Sequence, residues 1–117
     1  MKTLSTLFTL AAVALLHLPA FGADEKESTV KGEILDLTCY ADHGGAGEKH
    51  AACAAKCISS GLPVGIKGED GKVYTVVGDH KPLNKELADH AGKTVTLKGK
   101  VASKDGVNLL ENAELVK

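Results

Sequence analysis

From Val30 to Val116 no regularly patterned stretch runs far before a glycine interrupts it, and that punctuation admits only short strands and brief helices. Asp70-Gly71 and Asp105-Gly106 are hairpin-turn dipeptides. Gly61 with Pro63 beyond it is a helix stop. Between these marks, Val30–Tyr40 is rich in β-formers and reads as the first strand. Its apolar residues fall on two parities, Val30, Gly32 and Ile34 against Leu35, Leu37 and Cys39, so a bulge is expected between Gly32 and Leu35. The Ala-rich stretch Glu48–Ser60 is a predicted helix. Leu62–Ile66 and Lys72–Val77 form a predicted hairpin, and Pro82–Ala91 a short helix. Thr94–Val101 alternates as a half-buried antiparallel strand should, and Val107–Val116 is the closing strand.

The chain before Val30 has a different character. Met1–Gly22 carries Lys2, an apolar run from Leu7 to Leu18 broken only by Thr9 and His17, and the small-residue ending Ala20-Phe21-Gly22. This is the layout of a secretory signal, and cleavage is expected after Gly22. The run falls short of the roughly 20 apolar residues a membrane span needs, and acidic Asp24-Glu25-Lys26-Glu27 is no stop-transfer signal. The expected organisation is therefore a signal peptide over 1–22, a flexible lead-in over 23–29 and one domain over 30–117, periplasmic or secreted, without stable membrane insertion.

Once the signal is removed, Tyr40 and Tyr74 are the remaining aromatics, and the chain contains no Trp and no Arg. Loss of Lys2 leaves the lysines outnumbered by 15 acidic residues. Such a surface cannot neutralise phosphates or stack bases, which excludes nucleic acid as a partner. A core of Val, Leu, Ile and Ala is modest for a small exported domain, and such domains often add a disulfide or a metal.

Five short strands with one helix inserted early and another before the fourth strand predict a mainly β, α+β molecule, a small five-stranded partly open barrel. Val30-Lys31-Gly32-Glu33-Ile34 and Leu97-Lys98-Gly99-Lys100-Val101 each centre a glycine in a strand, where a barrel must coil or another backbone comes close. With the Asp-Gly hairpin and the helix before the fourth strand, these features resemble the oligonucleotide/oligosaccharide-binding (OB) fold. More narrowly, Cys39-Tyr40 at a strand end with His50, Cys53 and Cys57 resembles small exported bacterial OB-like domains of unassigned function. The likeness covers Val30–Val116. It departs from nucleic-acid-binding members in lacking their aromatic and basic face, so the fold supplies no function by itself.

Chemistry concentrates between positions 39 and 57, which hold Cys39, His43, His50, Cys53 and Cys57, every cysteine of the chain among them. At about 100° per residue, His50, Cys53 and Cys57 fall within roughly 60° of arc on one helix. Cys39 at the strand end and His43 in the loop can close on that stripe. Thiolate with imidazole selects soft or borderline ions, so the predicted cofactor is copper or zinc, held by Cys39, Cys53 and Cys57 with His50 or His43. His80 and His90 are expected at the surface.

The competing reading is a disulfide. Cysteines of exported proteins usually pair. The Cβ atoms of positions i and i+4 on a helix stand about 5–6 Å apart, against roughly 3.5–4.5 Å in a disulfide. Cys39 with Cys53 or Cys57 would then be the bridge, contributing around 3 kcal/mol for a loop of about 15 residues in the chain-entropy model. That leaves one thiol over, either in a structural or partner-binding module or in a thiol redox sensor. Gly44-Gly45-Ala46-Gly47 lacks the Lys and Ser/Thr of a phosphate loop, and Cys-x-x-Cys is missing. Gly-x-Ser-x-Gly is absent as well. No enzyme is expected, and the sequence specifies no protein partner.

Overall fold

The computed structural model describes residues 27–117. The signal peptide expected over 1–22 and the lead-in residues 23–26 lie outside the described residues. Five strands are present among the described residues: β1 Glu27–Asp36, β2 Val64–Gly68, β3 Val73–Val76, β4 Thr94–Lys104 and β5 Val107–Leu115. Between β1 and β2 come α1 Leu37–His43, a 3-10 turn Glu48–His50 and α2 Ala51–Ser59; before β4 come α3 Asn84–Leu87 and a 3-10 turn Ala88–His90. The expected small five-stranded α+β barrel is formed, and its ring is closed in the order β1-β2-β3-β5-β4. β1 runs antiparallel to both β2 and β4, while β3 lies parallel to β5 through Thr75↔Leu109 and Val76↔Leu110. Glu27–Thr29, assigned from the sequence to the lead-in, pair with Lys100, Gly99 and Lys98 of β4.

Alternation sets which side chains fill the barrel. Val30 and Ile34 from β1, Ile66 from β2, Val76 from β3, Leu97 from β4 and Leu110 from β5 are buried in one cluster. The two strand glycines stand where backbones cross at close range. A Cβ on Gly32 would fall on the Lys67 carbonyl, and one on Gly99 would come to 2.5 Å from the Glu111 carbonyl oxygen. Glycine is required there by space alone. α2 lies over the barrel and buries Ala54 and Ile58 in the same core. Asn84 holds the far end of that helix, its Nδ2 donating to the Ile58 and Leu62 carbonyl oxygens at 2.9 and 2.6 Å.

Two expectations are corrected. The first strand ends at Asp36, not Tyr40, because Asp36 caps a helix. Its carboxylate accepts the backbone N–H groups of Thr38 and Cys39 at 3.0 and 3.4 Å, and Gly44, left-handed at φ 73°, closes the other end. Leu37 thus opens α1, and of the second parity set only Leu35, itself buried, remains in the strand. No bulge is needed in β1, whose pairing with β2 and β4 runs without a break. The irregularity lies between β4 and β5, at Lys98/Lys100, where β5 carries one extra residue and Asn112 turns to φ 51°.

Candidate metal centre

The site is built on the excursion between β1 and β2. α1 carries Cys39 and His43, four residues apart and so on one face. It is seated on β2 by Leu37, whose side chain occupies the space a Cβ on Gly65 would need, and by Tyr40, whose ring stands 5.6 Å from the Lys67 ammonium. The chain then turns through Gly44–Gly47. The Gly47 N–H donates to the Glu33 carboxylate of β1. Gly92, beside β1, presses on the Gly47 carbonyl so closely that a Cβ there would come within 2.8 Å of its oxygen. His50 ends the following 3-10 turn, and Cys53 and Cys57 lie four residues apart on α2.

All five residues picked out in the sequence are brought together, in two groups. The ligand atoms of Cys39, Cys53 and Cys57 lie within 4.8 Å of one another, and so do those of Cys39, His43 and His50. Cys39 belongs to both. The continuous stripe expected of His50, Cys53 and Cys57 does not persist, because His50 precedes α2 in a 3-10 turn and is grouped with His43 instead. The two imidazoles meet edge to face with centroids 5.7 Å apart. His50 Nε2 is buried with no hydrogen-bond partner among the described residues, beneath Gly45, where a Cβ would come within 2.8 Å of that nitrogen. A buried imidazole nitrogen left unbonded loses its hydration without compensation, and a metal ion is one group that would restore it. His43 Nδ1 stands 3.5 Å from the Asp42 carboxylate at the exposed rim.

The sulfurs differ in setting. All three are thiols; Cys53 is exposed, while Cys39 and Cys57 are half-buried. Asp36, fully buried, is the residue that sequence reasoning missed. Burial pushes its carboxyl up, but hydrogen bonds from the Cys39 thiol, the Thr38 and Cys39 backbone and the Cys57 thiol outweigh this and hold it below its ordinary value. In return the carboxylate, accepting the Cys39 S–H, pushes that thiol up to about 12, with burial and the other thiols adding to the shift. Burial and then Asp36 raise Cys57. The signal for Asp36 was its place three residues before Cys39 and eight before Gly44, a capping pair overshadowed by the β-formers around it.

Thiols held protonated must release protons to a metal, so occupancy of this site and pH are linked. His80 instead pairs with Asp79 at 2.8 Å, and neither it nor His90 joins either donor group.

Compared with known proteins, the chain matches no family model, no curated protein and no solved structure. Its function is read from the site. Among the described residues, no helix is long and apolar enough to cross a membrane.

Proposed function

We propose that the protein is an exported binding domain for a soft metal ion, copper or zinc, and that its chemistry is sequestration or delivery of the ion and not catalysis. The observation that carries this reading is the convergence of three thiols and two imidazoles, with Cys39 common to both groups and the His50 Nε2 buried and unbonded. Thiolate and imidazole donors favour copper and zinc over calcium or magnesium, which take oxygen ligands. Export is supported by the sequence of Met1–Gly22.

The test is elemental analysis of protein recovered from the periplasm, with a thiol count under denaturing conditions and a metal titration of the reduced form. Tight binding of copper or zinc is expected. Cys57→Ser is expected to weaken it by at least about tenfold, as loss of a direct ligand should exceed the usual effect of an outer-shell change. His80→Ala should leave it unchanged. A second reading has its own support, since Cys53 is exposed and its sulfur lies within 4.8 Å of the other two. A thiol sensor would be purified without metal, with one free thiol and one bridge.

A further inference from the structure

The two donor groups share a single atom, the Cys39 sulfur, and that arrangement has a stoichiometric meaning. Ligands of one ion cannot stand farther apart than twice the bond length, about 4.6 Å for two sulfurs at the usual metal–sulfur distance. The five donors do not form one mutually close set; they form two sets of three. From this we infer that the chain binds two Cu(I) ions side by side, with the Cys39 thiolate bridging an ion held by Cys53 and Cys57 and a second held by His43 and His50. The inference rests on the soft-metal reading above and adds the number of ions, the metal and the role of the bridge.

Three donors per group favour Cu(I), because a structural zinc site takes four ligands. Charge favours the pair over a single Cu(I). Three thiolates around one Cu(I) carry a net charge of −2 beside the buried Asp36 carboxylate. A second cation on the neutral imidazoles offsets part of that excess without adding an anion. Loading involves no redox step: each thiol gives its proton to solvent and its sulfur to Cu(I), the bridging sulfur using a second lone pair for the neighbouring ion. The unbonded His50 Nε2, on the imidazole side, is the polar atom that the three-thiol group alone leaves unexplained.

Anaerobic titration of the reduced protein with Cu(I), read by native mass spectrometry and by competition with a chromophoric Cu(I) chelator, decides the matter. The expected endpoint is two ions per chain, with copper–copper scattering in the X-ray absorption spectrum. His50→Ala should bring the endpoint to one ion, and Cys39→Ser should weaken both ions together, by about a hundredfold if a lost bridge costs at least as much as an outer-shell ligand. Circular dichroism of each variant establishes that the barrel is retained, and the exposed Cys53→Ser, which should weaken only one of the two ions, is the variant least able to disturb the fold. An endpoint of one ion in the wild type overturns the pair while leaving the soft-metal reading intact; an endpoint of none removes both. Two ions that both survive Cys39→Ser at full affinity would overturn the bridge.

Discussion

A single carboxylate organises the local chemistry of this protein. Asp36 ends β1, caps α1 and accepts hydrogen bonds from the thiols of Cys39 and Cys57, so one residue turns the chain and sets the protonation of the site. The metal-free protein should therefore show unequal thiols. Cys53 is exposed, whereas the Asp36 carboxylate keeps Cys39 protonated up to about 12. The thiolate is the nucleophile, so in a timed reaction with iodoacetamide at mildly alkaline pH, peptide mapping should find Cys53 modified first and Cys39 last. The sign of the pH effect follows: modification of Cys39 should keep accelerating as pH rises toward its own value. Asp36→Asn retains a capping side chain but removes the charge, and it should speed Cys39 modification at fixed pH. Equal rates for the three thiols in the folded protein would refute the assigned role of Asp36. At this scale the sequence was informative about which residues assemble, because Cys, His and helical spacing are visible in it. For the buried carboxylate it offered only a capping cue, since the contact of Asp36 with Cys57 on α2 comes from the fold.

At the scale of elements, Val30–Tyr40 is the instructive case. Its β-formers predicted one continuous strand, and the strand is present as far as Asp36. Beyond that point the cap at Asp36, the left-handed Gly44 and the seating of Leu37 over Gly65 outweigh the propensity of Thr38 and Tyr40, and the chain coils into α1. That change moves Cys39 from a strand end to a helix and places it on one face with His43. The helix over Glu48–Ser60 was legible from its alanines and from Gly61, but not its 3-10 first turn, which redirects His50. The other end of α2 depends on a contact distant in sequence. Asn84 supplies two hydrogen bonds, one to the Ile58 carbonyl in the last turn of the helix and one to the Leu62 carbonyl beyond its end. Asn84→Ala should cost about 1–2 kcal/mol, and a domain of this size should then lose roughly 4–8 °C in Tm per kcal/mol. Thermal denaturation followed by circular dichroism measures it. A Tm within a degree or so of the wild type would mean that water replaces the amide without loss.

Over the whole molecule the fold class was readable because it follows from strand lengths, turns and two glycines, all local features. Closure through the parallel β3–β5 pair was not, since it joins segments far apart in the chain. Gly32 tests whether the ring is as tight as its geometry requires. Gly32→Ala drives a methyl group into the Lys67 carbonyl of the neighbouring strand, backbone that cannot move without opening β1 from β2. Overpacking of this kind costs about 1–3 kcal/mol, and urea unfolding should show a lower midpoint by the corresponding amount. An unchanged midpoint would mean that β1 and β2 separate without penalty. The same barrel gives the site its rigidity. The loop joining the two halves of the donor set is pinned at Gly47 between the Glu33 carboxylate on one side and Gly92 on the other. Part of the conformational entropy that a free loop would surrender on closing around an ion is therefore lost already when the barrel folds. The folding of the β structure thus contributes to the affinity of the site, and a substitution that loosens the Gly47–Gly92 contact should lower affinity in a metal titration without touching a ligand.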